Sequence, residues 1–469
     1  MPYFTITDFA AGLDLRRSEL TAPAGTLRSM INCHITPGGE IEKRMAFVPF
    51  WSCDPTTKGL VALNQKLYTF GPNGPYKTEP PGLAEVPVDP WTVGVLGQAT
   101  PIIFEIIDYD LFDSKVFCIL WTDSAGTVMR FYDGISVPAA NGFYCRTYKT
   151  KIYTVSGSVL YFCAVGNAAD WTGTGSGSID LSLEDSDMTD CIALEVYYNN
   201  LAIMSKTATQ LWLMDPDPLK NTYQQTLRQA GTMAWRSVLQ YGSGDVMYVA
   251  ASGIRSLRAR NASLAAAVSD IGSPLDPVIQ DLFRSKGEDW MSGTIAILQP
   301  VTGRFWIIMP DRIYILSAFP GPKITAWSEY DPGFTITAAA VLNNRICVRD
   351  DKNQVYAYGG TSDVGPVYDD SPVELVFPFH AGDQVATFKT FNGLDATCAG
   401  APWDVYGAFN VEDPATEDFL GSFNGPTFLQ GIFPINGHST HMSLRLRSAT
   451  PGPQTLSNMV VHYSISESG

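Results

Sequence analysis

The sequence predicts an all-β protein: a degenerate β-propeller of about six blades with few short helices, followed by a C-terminal antiparallel β-sandwich. Three observations lead there. Short apolar runs rich in Val, Ile, Tyr, Phe and Trp are broken by turn residues about every 8–12 positions. The turns are supplied by 41 glycines and 31 prolines. A strand, tight turn and second strand recur with a mean spacing of about 48 residues, the length of a four-stranded blade.

Residues 1–50 form a Gly-punctuated extended arm, expected to complete a blade or dock elsewhere. The propeller follows over 51–365. Its first hairpin is Leu60 to Gly71, and the unit returns as Val116 to Gly134. Further hairpins are Lys151 to Phe162, Leu194 to Met214 around Asn199-Asn200, Met247 to Leu257, Phe305 to Leu316 and Arg345 to Tyr358. Tyr68, Tyr132, Tyr161, Trp212, Ile254, Tyr314 and Tyr356 mark the repeat, at irregular intervals that set it apart from a WD40 or kelch array. An antiparallel sandwich with long loops is the alternative for this stretch. Two segments read as helical. In Ser273 to Phe283, Asp276 is placed to cap, Pro277 takes the first turn, and Val278, Ile279, Leu282 and Phe283 line one face. The second, Tyr223 to Gln229, stops at Gly231. A Gly- and Pro-rich boundary near 360–372 opens a sandwich over 366–469, with strands expected at Val373 to Phe379, Ala386 to Phe391, Trp403 to Phe409, Met442 to Arg447 and Met459 to Ile465.

The chain has 469 residues, of which 45% are apolar and 17% charged, so it can bury large cores. With 31 Lys and Arg against 47 Asp and Glu, the net charge of −16 argues against sequence-reading nucleic-acid binding and against an anionic membrane surface. Eight dispersed cysteines without a C-x-x-C pair read as buried thiols in a reducing cytoplasm. Neither a signal peptide nor an apolar run of membrane-spanning length is present, so a soluble chain without its own export signal is expected.

Searches for chemistry return no catalytic, cofactor-binding or metal site. Gly173-Thr174-Gly175-Ser176-Gly177-Ser178 has the composition of a phosphate loop but opens no helix, and reads as a flexible loop. His438 and His441 are the only close histidine pair and read as a turn rather than a metal site. Two carboxylates across a propeller mouth could hydrolyse a glycoside. The candidates are Asp108, Asp110 and Asp113; Glu184, Asp185, Asp187 and Asp190; and Asp350 with Asp351. The last pair belongs to a hairpin tip, and the first two groups read as solvated loops able at most to hold an adventitious calcium ion. Asn261-Ala262-Ser263 matches a glycosylation sequon by chance.

The ordered features resemble the tail nozzle (tail hub) proteins of short-tailed bacteriophages. The opening Phe9 to Arg17, with Ala22 to Leu27 and Asn32 to Arg44, is similar to their N-terminal arm. Leu201 to Met204, Thr209 to Trp212, Gly231-Thr232-Met233, Gly253 to Leu257 and the Ser273 to Phe283 segment follow the family's order of blade, blade and interblade helix. Arg304 to Pro310, Ile313 to Leu316 and Ala326-Trp327-Ser328 match its paired strands ending in tryptophan. The glycine loop and the 404–438 segment have no counterpart, which leaves fibre or receptor attachment there open. The resemblance implies a homo-hexameric virion protein, assembled in the host cytoplasm, that docks on the portal adaptor (head-to-tail connector). It implies a ring carrying tail fibres, spikes, a needle or a plug, and passing double-stranded DNA without reading it. An acidic lumen suits that passage, because like charge repels phosphates within a Debye length of about 8 Å. The competing reading is a carbohydrate-binding or glycan-cleaving propeller using Trp171, Trp212, Trp235 and Trp306 as a sugar platform, although each lies in or beside a predicted strand. A monomeric scaffold or adhesin is a third.

Overall fold

The computed structural model describes residues 2–465, apart from residues 64, 73–84, 89–90, 99–103, 114, 123–125, 132–135, 139–141, 243, 260–265, 363–364, 383–384, 386 and 401. Among the described residues the central strands form a β-propeller, built from six separate four-stranded sheets and the first four strands of an 11-stranded sheet. The innermost strands are Lys58–Leu63, Phe104–Phe112, Tyr144–Tyr148, Cys191–Tyr197, Leu239–Tyr241, Ile295–Leu298 and Ile336–Leu342, here blades 1 to 7. Each touches the next, and the last returns to the first, so the ring is closed. The count is one above the six expected. The repeat markers fall one to a blade, and Tyr132, directly after Gly126–Phe131, lies outside the described residues. Six intervals between markers leave out the blade that closes the ring.

The hairpins form where the turn residues place them. Asn343 and Asn344 sit at φ 47° and 61°, the pair of left-handed conformations that a tight hairpin between twisted strands requires. Blade 1 departs from a simple meander, because Trp91–Gln98 runs parallel to Lys66–Pro72 and Glu85–Val88 lies outside it. Thr222–Arg228 corrects one expectation: the segment read as a helix is the outermost strand of blade 4, paired with Ala208–Leu213. Its Thr-Tyr-Gln-Gln-Thr-Leu-Arg sequence places side chains alternately on the two sides of an exposed outer strand, and β-branched residues favour that state. The other helix forms as α1 (Asp276–Lys286), followed by α2 (Glu288–Ser292), with Ile279 and Leu282 buried. Asp276 does not cap it; its carboxylate is held by Arg255 of blade 5 at 2.7 and 3.0 Å.

The two ends of the chain behave differently from a separate arm and a separate sandwich. Phe47–Ser52 pairs with Gln354–Tyr358 and supplies the fourth strand of blade 7, so the N-terminal side closes the ring. Upstream, Ser29–Ile31 joins Ile324–Tyr330 of blade 6 to Val373–Val376, continuing the blade sheet into the C-terminal region through Ser443–Ser448, Trp403–Ala408 and Asp418–Phe423. A second sheet runs Phe433–Ser439, Lys389–Ala399, Thr455–Ile465, Ile41–Lys43 and Cys33–Ile35, with Tyr3–Ile6 on Thr455–Ile465. One apolar core, from Met30, Trp403 and Leu446 to Tyr463, Trp327 and Ile279, fills the space between these sheets, blade 6 and α1. The sandwich is therefore built from both termini.

Polar groups finish the junction. Arg44, 2% exposed, donates to Asn32 Oδ1 at 2.8 Å, Met45 O at 2.8 Å, Asp369 Oδ2 at 3.0 Å and Asp331 O at 3.1 Å. Asn32 also accepts from Asp331 N and donates to Pro372 O. Beside this knot runs a hydrogen-bond chain. Met45 N donates to Tyr358 Oη, Tyr358 to Tyr330, and Tyr330 to His34 Nδ1 at 2.7 Å, while His34 Nε2 lies 3.3 Å from Glu42. This direction of donation requires neutral His34 with its proton on Nε2. Burial holds its pKa down to about 4, against the smaller opposing pull of Glu42.

Seven cysteines, all but Cys118, are free and buried, and no described helix is long and apolar enough to cross a membrane.

Two outcomes follow. Arg44→Met removes a donor from a half-buried carboxylate, an amide oxygen and two carbonyls, and should lower unfolding free energy in urea by about 2–4 kcal/mol; a loss under about 1 kcal/mol would contradict the knot. His34 binds its proton in the unfolded chain near pH 6.5 but in the folded chain only near 4. Stability from this group is complete above about pH 6.5 and is lost as pH falls towards 4, by about 3 kcal/mol. His34→Gln should flatten the pH dependence of the urea midpoint in that window.

Candidate functional site

A strand places residues i and i+2 on the same side. In blade 2, Asp108 and Asp110 stand two apart on the innermost strand, facing Cys145 and Thr147, two apart on the innermost strand of blade 3. Asp108 Oδ2 accepts from Cys145 N at 3.0 Å and Asp110 Oδ2 from Thr147 N at 2.7 Å. The carboxylates thus saturate the backbone edge of the neighbouring blade. These residues were expected in a solvated loop, and the structure corrects this; Asp113 alone occupies the turn, at φ 48°.

One step further round, Arg146 of blade 3 forks onto Glu195 of blade 4, with Nε 3.1 Å from Oε1 and Nη2 on Oε2. Glu195 is 2% exposed, and its Oε1 also accepts from Val196 N. Burial disfavours the Arg146 charge, but Glu195, Asp110 and Asp108 together raise its pKa above the ordinary value. Arg236, between blades 4 and 5, lies over the Tyr109 ring at 5.6 Å and the Trp235 ring at 5.8 Å. Asp108, Tyr109, Arg146, Trp235 and Arg236 line a cavity of about 230 Å³ on the propeller axis, whose other wall is apolar: Val238, Leu239, Ile295, Ile297 and Ala339. Desolvation raises the Asp108 pKa to about 6, opposed by its backbone donors and Arg236.

The remaining candidates are not gathered here. Asp185 pairs with Arg228 at 3.1 Å and accepts from Asp187 N, while Glu184, Asp187 and Asp190 are exposed, as a solvated loop requires. Asp350 accepts from Lys352 N, Gln354 N and Tyr356 Oη at its hairpin tip, as its position suggested. In the glycine loop, Gly173 N donates to Asp170, and the Gly175 carbonyl faces Lys151 Nζ at 2.7 Å. His438 stacks on Phe388, whereas His441 contacts Thr440. Trp306 is fully buried among Phe47, Tyr330 and Tyr358, Trp212 packs on Tyr223, and Trp171 donates to Ala168 O. The four tryptophans belong to different packing regions and form no common platform. Asn261-Ala262-Ser263 lies outside the described residues.

Arg146, Glu195 and Arg236 escaped the sequence reading. Arg146 and Glu195 are 49 residues apart, and the only local signal was a glutamate inside the apolar run Ile192-Ala193-Leu194-Glu195-Val196-Tyr197.

No family model and no curated protein matches the chain. Solved structures with a similar backbone include the WD40 domain of Neurospora crassa Pan2, with 10% identity over 71% of this chain and 99% of that chain, at a TM-score of 0.42. The β-propeller domain of Myceliophteria thermophila Cps50 (Swd1) shares 9% identity over 68% and 100% of the two chains, at 0.41. BamB from Moraxella catarrhalis shares 9% over 68% and 97%, at 0.35.

Because the folded Asp108 pKa of about 6 lies above its unfolded value, its contribution to stability is complete below about pH 4 and is lost as pH rises through 6. Asp108→Asn is neutral throughout. Relative to the parent, the variant should gain about 2 kcal/mol between pH 4 and pH 8 in urea unfolding, and a constant difference would contradict the assigned burial effect.

Proposed function

We propose that this chain is a structural, non-catalytic virion protein: a subunit of the six-membered nozzle ring of a short phage tail, docking on the portal adaptor, carrying fibres, spikes or a plug, and passing double-stranded DNA along the ring axis. The observation that carries the reading is the free side of the sandwich. Its two sheets end in Asp418–Phe423 and Phe433–Ser439, linked by α3 (Thr427–Gln430). On or beside these edge elements Phe388, Phe419, Phe428 and Ile432 are 51–60% exposed. Large apolar side chains left in water and clustered on one side favour contact with other protein surfaces. They fall in and around the 404–438 segment that has no counterpart in the resembled family.

Two further features agree with an assembly role. A sandwich welded to blade 6 transmits position rigidly from one lobe to the other. The net charge of −16 suits a wall that DNA must slide past without adhering. The propeller's own axis holds the Arg146–Glu195 pair and the Asp108 network, so in this reading the DNA path is the axis of the subunit ring.

Light scattering with negative-stain imaging tests the proposal. The protein should reach six times its 51.1 kDa mass, alone or on its adaptor ring, with a central hole. The double variant Phe419→Ser and Phe428→Ser should weaken that association while leaving the melting temperature unchanged. A persistent monomer without adaptor affinity would discard the reading.

A further inference from the structure

The axial cavity holds two buried donors that the fold does not satisfy. Arg236 Nε and Trp235 Nε1 are both shielded from solvent and make no hydrogen bond among the described residues. Nor does Arg236 have a carboxylate within ion-pair distance among them, although Arg146, on the same wall, is paired with Glu195. Buried donors without acceptors cost about 1–3 kcal/mol each, so a native structure that retains two at one cavity has a use for an acceptor there. The nearby carboxylates of Asp108 and Glu195 make neither hydrogen bond nor ion pair with these donors and are turned to other groups. Asp108 is committed to Cys145 N and Tyr109 N, and Glu195 to Arg146 and Val196 N.

We propose that the axial cavity is a binding site for a small organic monocarboxylate, its carboxylate on Arg236 and Trp235 and its hydrocarbon body against Leu239, Ile295 and Ile297. The chemistry narrows the ligand in three ways. A guanidinium fork matches a planar carboxylate, and a desolvated wall strengthens that pairing. Asp108 lines the cavity beside Arg236, and the Arg146 charge is neutralised by Glu195, so a dianion such as phosphate meets more repulsion than a single charge. The opposite wall is apolar and rewards a ligand with an apolar body. A volume of about 230 Å³ limits that body to a short chain or a single ring. The site is independent of the assembly reading and stands or falls separately.

Titration calorimetry of the full-length protein, with Trp fluorescence in parallel, decides it. The probes are butyrate, hexanoate and benzoate, with benzylamine, benzyl alcohol and inorganic phosphate as comparisons. At least one monocarboxylate should bind saturably to one site, at least about tenfold more tightly than the amine, the alcohol or phosphate. Arg236→Gln should weaken it about tenfold or more. Ile297→Trp, which fills the apolar side and leaves Arg236 in place, should abolish binding, and decides the matter if Arg236→Gln fails to fold. The affinity should also rise as pH falls from 8 to 6, because Asp108 takes up a proton beside Arg236, Asp110, Tyr109 and the Arg146–Glu195 pair; a purely structural role for Arg236 would not move this. Absence of saturable binding by all three acids, or equal binding by both variants and the parent, overturns the proposal.

Discussion

The fold depends on a buried arginine. Arg44 sits where the chain leaves the sandwich strand Ile41–Lys43 and enters the closing strand of blade 7, Phe47–Ser52. Its guanidinium binds the arm at Asn32 and Met45, the exit of blade 6 at Asp331 and the start of the C-terminal region at Asp369. A guanidinium removed from water is tolerable only when its donors are engaged, so these segments must arrive together. Lys43, also buried, repeats the device with the carbonyls of Asp369 and Thr450. Ring closure and sandwich assembly thereby become one event, and the two lobes share a continuous sheet and a continuous core.

The same economy governs the axis. A closed ring of blades turns the edges of its innermost strands toward a narrow centre, where unpaired amides would be costly. Asp108 and Asp110 cover two of them, and Arg146 with Glu195 ties blade 3 to blade 4. Buried charge, often a mark of catalysis, here holds blades in register. The sandwich edge, with its exposed aromatic residues, is then the surface we propose for partners, and Arg236 and Trp235 keep donors on the axis that no described residue accepts.

Much of the fold was legible because hairpins are local. Asn199-Asn200, Ser252-Gly253, Pro310-Asp311-Arg312 and the Asp350 to Asn353 tip mark turns through their own backbone chemistry, and the strands fall on either side. The failures are of two physical kinds. Thr222–Arg228 is short and polar, and only its pairing with Ala208–Leu213 makes it a strand. Closure of blade 7 joins residues about 300 positions apart, and nothing in Phe47–Ser52 names its partner. The site suffered similarly. Asp108 and Asp110 could be found as an acidic cluster, but their role required knowing that Cys145 and Thr147 present amides on the next blade. Asp350, whose partners are all within six residues, was read correctly.

Differential scanning calorimetry of the intact chain tests the central claim, that the N-terminal segment welds propeller and sandwich into one cooperative body. A single transition whose calorimetric and van't Hoff enthalpies agree is the predicted result. Two separable transitions, one for the propeller and one for the sandwich, would contradict it.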